Sequence, residues 1–581
     1  MSSLGWPRSR PRTINMKQMK KIKIFLIAAF IGASAFLTTG FVDSYFEVSK
    51  NLDIFATLFR ELNIYYVDET NPGDLMKKGI DKMLESLDPY TNFIPESEIE
   101  DYRYMTTGQY GGIGALIRQQ GDYVVISEPY EGFPAQKADL RAGDKLLKLN
   151  DIDVKGKTTD DISKLLKGQP STTIKLLVER EGQAKPIEKV VNREEIKIKN
   201  VPYYGMLNNE VGYIKLTGFT ENAAGEVKSA LIELKKNAEL KSVVFDLRGN
   251  PGGLLKEAID IVNIFAEKGT EVVSTKGKVK EWDKIHKATN NPVDLTIPIA
   301  VLVDRGSASA AEIVSGAIQD LDRGVVIGQR SYGKGLVQQT RPLSYNAQLK
   351  VTVAKYYIPS GRCIQALDYS HRNQDGSVEK VADSLIYAFK TKNGRVVYDG
   401  GGVAPDIAVE TQKYSNILGS LVSKNLIFDF ATKYRLAHET IAPAKEFKLT
   451  DAEYDEFVAF LSGKDYDYTT KTEKKLEELK KSAADEKTIE DINSEVEALK
   501  TKIKHSKSAD LVKYKPEIKQ FLEEEITSRY YFQTGRLEAS LKDDQEIKEA
   551  LAVLNDADRY KKILTTINKA EKPFHDEAHK K

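Results

Sequence analysis

The chain has 581 residues, 86 Lys and Arg against 85 Asp and Glu, a net charge of +1 and 41% apolar residues. At about 150 residues per domain the length predicts three or four domains with cores of their own. The balanced charge argues against a dedicated nucleic-acid binder, and the single cysteine, Cys363, excludes an intramolecular disulfide and any CxxC metal or redox site.

Residues 1–40 read as a targeting segment. Lys17, Lys20, Lys21 and Lys23 precede a run with no charge from Ile24 to Val42. Its strongly apolar part, Ile24 to Leu37, is shorter than the ~20 residues a membrane span needs, which favours a secretory signal cleaved after Ala35 or Gly40. An uncleaved signal anchor is the alternative. Met16 and Met19 are alternative starts. Either reading predicts export, with membrane contact confined to this segment.

From Tyr45 to Leu87 apolar residues recur at helical spacing (Leu52, Phe55, Phe59, Leu62, then Leu75, Ile80, Met83, Leu84), with Asp74 as the expected N-cap of the second helix. A helical N-terminal domain is expected over 41–105. Residues 106–193 hold short alternating strands (YVVISE, DKLLKLN, TIKLLVER) separated by Gly and Asp turns. Over 194–412 strands alternate with helices: KSVVFDLR runs into LLKEAIDIVNIFA, IPIAVLVD into AAEIVSGAIQD, and GVVIG and LKVTVAKYYIP follow. That rhythm predicts a largely parallel sheet covered by helices. Residues 413–581 are rich in Lys and Glu with an apolar stripe (Leu476, Leu479, Ala483, Ile489, Ile492, Val496, Leu499, Ile503), read as helical hairpins packing on the core or on a partner.

Three segments carry candidate chemistry. In Val303–Glu312 an apolar strand ends, small residues turn, and a helix begins, which puts Ser309 at or near a helix N-terminus. Free N–H groups and the positive dipole end favour a developing oxyanion there, although Ser is also a common plain N-cap. In Gly328–Gln338 the pattern G-x4-G-K resembles a phosphate-binding loop, but Gly335 stands where Ser or Thr must hold magnesium, and a strand follows instead of a helix. Lys334 between two glycines beside a buried strand reads better as a residue inside a site. It can act as a base if burial lowers it from ~10.4 to ~7–8, at a cost of about 4 kcal/mol. Among the six histidines only His286 and His371 lie between the signal and residue 413, both in polar stretches, and no HExxH pair exists. A Ser-Lys pair is therefore a better reading than Ser-His-Asp or a zinc centre. In Phe245–Gly253 a glycine turn links strand to helix at a sheet's carboxyl edge and offers further N–H donors.

Together GSASAAEI, SYGKGLVQ, VVFDLRGNPGGLL, AKYYIPSGRCIQ and GGGVAPDI, with the block over 106–193, resemble the carboxy-terminal processing (tail-specific) proteases, serine-lysine peptidases with an embedded PDZ domain. The resemblance covers roughly residues 45–410. It implies an α/β and α+β multidomain fold, with a crotonase-like α/β protease core, an inserted PDZ domain, a helical N-terminal part and a helical C-terminal tail. By motif it makes Ser309 the nucleophile, Lys334 the general base and Gln338 the residue that orients the lysine. The N–H groups of Ala310 and of Gly252 or Gly253 become the oxyanion donors, and Asp320 a structural support. The PDZ block implies that Gly111, Gly112, Ile113 and Gly114 cradle a terminal carboxylate while the adjoining strand accepts a peptide. Asp139 stands where Gly is usual, and Lys167 is the nearest match to a regulatory basic residue. Neither the residues nor the resemblance calls for a cofactor, metal or nucleic acid. The resemblance implies protein or peptide substrates with flexible C-termini and allows an adaptor and a homodimer; with the targeting segment, the expected location is the periplasm, free or anchored to the inner membrane. A catalytically inactive PDZ scaffold on the same fold is the competing reading, and a nucleotide-dependent machine a third.

Overall fold

A computed structural model describes residues 45–566; the expected targeting segment lies outside them. Among the described residues no helix is long and apolar enough to cross a membrane. The chain parts into two compact units between Met83 and Leu84.

The first unit holds a helix over 45–65 and most of the helix Pro72–Glu85. The Asn71 side chain accepts the N–H groups of Gly73 (3.0 Å) and Asp74 (3.3 Å), so Asn71 does the capping expected of Asp74. Asp74 falls inside the first turn, because Pro72 can occupy the first helical position without losing a needed N–H.

In the second unit the PDZ block is an antiparallel sheet in the order Ala115–Gln120, Tyr123–Pro129, Lys145–Leu149, Thr173–Glu179, Ile187–Asn192. The first of these is an edge strand. Val124, Ile126, Leu146, Leu176 and Val178 fill the inner face against Ile162 and Leu166 of the helix Thr159–Leu166. Asp139 adopts φ 55°, the conformation that favours glycine. Its carboxylate is held by Arg141, Arg180 and Lys189.

The core sheet runs Tyr203–Met206, Val211–Lys215, Ser242–Asp246, Ile299–Val303, Val325–Gly328, Ile407–Ala408, parallel from the second strand on. Val243, Phe245, Val301 and Val303 face the helices Ala223–Leu234, Leu255–Phe265 and Ala310–Asp320. Val244, Ala300 and Leu302 point the other way, onto Ile547, Ala550 and Val553. Part of the C-terminal region thus closes the second face of the core sheet, as a parallel sheet requires. Residues around Phe430, Phe457, Ile518 and Leu522 form a separate cluster, and the helices Lys471–Asp485 and Ile489–Ser508, which carry the expected apolar stripe, belong to neither.

LKVTVAKYYIP is not in the parallel sheet. Its strand, Gln348–Tyr357, centres an antiparallel sheet with Asn92–Ile94, Glu271–Gly277 and Leu336–Pro342. Its alternation of Lys and Thr with apolar residues suits a half-solvated sheet better than a doubly buried one.

Candidate active site

The site gathers at the carboxyl ends of the core strands, where three loops meet. The turn after Ser242–Asp246 is stitched to the loop after Ile299–Val303. Asp304 Oδ1 accepts the Gly249 N–H (2.8 Å), the Asn250 carbonyl accepts the Ala308 N–H (2.9 Å), and the Ser307 hydroxyl donates to the Leu247 carbonyl (2.9 Å). Gly252 is pressed against the neighbouring loop. A Cβ there would lie 2.7 Å from the Ala308 carbonyl oxygen and 2.8 Å from the Ala310 nitrogen, and its φ is +96°.

Ser309 precedes the helix Ala310–Asp320 with φ 55° and ψ −112°. An ordinary N-cap is extended, so Ser309 holds a strained conformation that capping does not require and that sites of chemistry often store. The helix behind it is buried along its whole length, which fixes the turn.

Glu312, fully buried in that helix, joins Ser309 to the loop that carries Lys334. Its Oε2 accepts the N–H groups of Ser309 (2.8 Å) and Lys334 (2.9 Å), and its Oε1 accepts the Gly333 N–H (2.7 Å) and the Ser331 hydroxyl (2.5 Å). Burial pushes its carboxyl up while these four donors pull it down. On the other side the Tyr356 hydroxyl lies against the carbonyls of both Ser309 (3.1 Å) and Lys334. The two residues are therefore clamped from both sides through their backbones.

Burial and the neighbouring Lys350 ammonium bring the Lys334 amine down to about 8, against the pull of the Glu312 and Asp88 carboxylates. Its Nζ sits 4.3 Å from the centre of the Tyr90 ring. Gln338 Nε2 donates to Thr352 Oγ1 at 3.2 Å, and among the described residues no hydrogen bond joins Gln338 to the lysine side chain.

Among the described residues the N–H groups of Ala310 and Gly253 have no hydrogen-bond partner, whereas the Gly252 N–H donates to Asn250 Oδ1 at 2.9 Å. Asp320 is buried in an ion pair with Arg362 (2.9 Å) and accepts the Ser360 N–H. No cluster of three or more metal-ligating side chains occurs among the described residues. His371 bonds Asp368 on an exposed hairpin.

In the PDZ block Gly111 and Gly112 pair with Glu195 and Glu194. Ile113 and Gly114 keep N–H groups without a partner among the described residues. They immediately precede the edge strand, and Ile113 lines a cavity of about 250 Å³ with Tyr110, Tyr130, Leu166 and Lys167. The Lys167 ammonium pairs with Asp101 at 2.6 Å.

Sequence reasoning missed Glu312, Tyr356 and Tyr90. The S-x-x-E spacing of a capping box offered a signal for Glu312. For the two tyrosines nothing local did, since their partners are distant in sequence.

A profile of peptidase family S41 matches residues 210–370, a PDZ domain profile residues 125–180, and a profile described as "Probable PDZ-protease, C-terminal helical domain" residues 417–554. The "Carboxy-terminal-processing protease" of Bartonella bacilliformis is 34% identical over 356 residues, covering 60% of this chain and 81% of that one. A "Probable CtpA-like serine protease" of Staphylococcus aureus is 31% identical over 369 residues, 63% of this chain and 66% of that one. Among solved structures, a photosystem II D1 C-terminal processing protease is 27% identical with a TM-score of 0.35, covering 61% of this chain and 92% of that one.

Proposed function

The chain belongs to the carboxy-terminal-processing proteases, serine-type peptidases carrying a PDZ domain, and from that membership we propose an exported endopeptidase that works by a Ser309–Lys334 dyad. Lys334 Nζ takes the proton as Ser309 Oγ attacks the scissile carbonyl. The oxyanion rests on the N–H groups of Ala310 and Gly253. Collapse expels the amine with the proton from Lys334, and water, activated by the same lysine, hydrolyses the acyl-enzyme. The observation that carries this reading is the shared Glu312 oxygen, which holds the two backbones side by side. A Lys334 amine near 8 supports it, because a base must be substantially neutral at the working pH.

We assign the groove between the edge strand Ala115–Gln120 and the helix Thr159–Leu166 to the C-terminal end of the substrate. The free N–H groups of Ile113 and Gly114 face the terminal carboxylate there. The test is digestion of a folded protein with a flexible tail, monitored by intact mass, with Ser309→Ala and Lys334→Ala alongside. Both variants should fold and neither should cleave, and a fluorophosphonate should label the parent chain but not Ser309→Ala. Normal turnover by Lys334→Ala removes the base assignment. Absence of both labelling and cleavage in the parent chain favours an inactive scaffold.

A further inference from the structure

A lysine that takes a proton from serine must be neutral beforehand and must tolerate a positive charge in the transition state. In a serine-histidine-aspartate triad the buried carboxylate stabilises the imidazolium as it forms. A carboxylate bonded to a lysine would hold it charged at neutral pH, and Lys334 Nζ has no ion-pair or hydrogen-bond partner among the described residues. What it has is the face of Tyr90, 4.3 Å away. An aromatic face attracts a cation more weakly than a carboxylate does and leaves a neutral amine nearly untouched.

Tyr90 is itself held in place. Asp88 Oδ1 accepts the N–H groups of Tyr90 and Thr91, each at 2.8 Å, and the Thr91 hydroxyl donates to Asp88 Oδ2 at 3.0 Å. Thr91 Oγ1 accepts the Thr352 N–H at 3.2 Å, and Thr352 Oγ1 accepts from Gln338. The Tyr369 ring meets Tyr90 edge-on at 6.1 Å. The chain of bonds from Gln338 thus ends at the turn that presents the Tyr90 ring, and not at the lysine. The charged and titratable groups around Lys334 are Lys350, Glu312 and Asp88, with Tyr332 and Tyr369 beyond Tyr90.

We propose that Tyr90 is a positioning residue for Lys334: its ring face receives the ammonium created when the O–H bond of Ser309 breaks and the proton passes to Nζ, and the Asp88–Thr91–Thr352–Gln338 chain holds that ring in place. This rests on the reading of Lys334 as base.

The test compares the parent chain with Tyr90→Phe, which keeps the ring, and Tyr90→Leu, which keeps bulk without it. Tyr90→Phe should retain kcat within about threefold. Tyr90→Leu should lose about three- to thirty-fold in kcat with little change in KM. The acid limb of its kcat/KM profile should move to lower pH, because a face that favoured the cation is gone. Phenylalanines of increasing fluorination at position 90 alter the ring's charge distribution at nearly constant shape, so they serve even if the leucine variant misfolds, and kcat should fall stepwise along the series. Equal activity of the Phe and Leu variants, or a flat fluorination series, overturns the assignment. Full activity of Lys334→Ala would sink the dyad instead, whatever the Tyr90 variants do.

Discussion

Ser309 and Lys334 share one acceptor: Oε2 of Glu312 takes the N–H of Ser309 at 2.8 Å and the N–H of Lys334 at 2.9 Å. The two nitrogens are therefore no further apart than those two bonds laid end to end. A buried carboxylate with four donors is an organiser of two loops that the chain reaches separately.

Glu312→Gln should expose that role. A glutamine presents one accepting oxygen, so either the Ser309 and Lys334 pair or the Ser331 and Gly333 pair loses its acceptor. We expect a loss of roughly 2–4 kcal/mol in urea denaturation, from one or two buried donors left unpaired, and a fall in kcat larger than any change in KM.

The Lys334 amine at about 8 sets the pH dependence. The neutral amine is the active form, so kcat/KM should rise with pH through about 8. Lys350→Met removes a charge that disfavours the ammonium, and the limb should move to higher pH. Stability has its own sign. Between about 8 and the unfolded value of ~10.4 the unfolded chain binds more protons, so stability should rise with pH across that window. Lys334→Met should raise the melting temperature at pH 7 and abolish that rise, as scanning calorimetry would record.

Gly252→Ala forces a Cβ to within 2.8 Å of the Ala310 nitrogen and the Ser309 Cβ, in a backbone region that side chains avoid. The two loops must then separate. Turnover should drop by about a hundredfold or more, the scale of losing an oxyanion donor, while the PDZ groove still binds peptide in a titration.

Lys167→Ala breaks a largely exposed pair with Asp101, which should cost under ~1 kcal/mol of stability. If Lys167 transmits peptide occupancy, the variant should also lose the difference in kcat/KM between a substrate with its last residues and one without them. An unchanged difference would assign Lys167 to the surface alone.

Asp320→Ala leaves the Arg362 guanidinium buried at 1% exposure without its carboxylate. The expected cost is about 3–5 kcal/mol, read by thermal or urea unfolding, with no altered pH profile in the protein that remains folded.

What the sequence determined by itself was set by local chemistry. The strand–turn–helix units around Gly252 and Ser309, the broken phosphate-loop pattern at Gly335 and the glycines beside Lys334 follow from short-range rules of periodicity, turn geometry and capping. Asp139 stands out only through the resemblance, where Gly is usual, and its φ of 55° is what such a turn demands. The tertiary structure decided which distant groups share a charge or a proton. The clamp of Glu312 and Tyr356, the ring of Tyr90 under Lys334 and the Gln338–Thr352 bond depend on strands paired across long loops. So does the closing of the core sheet by Ile547, Ala550 and Val553. Hydrophobic burial makes that last contact favourable without directional preference. A sequence pattern can therefore announce an apolar stripe, as over 476–503, without showing which helix will cover the sheet.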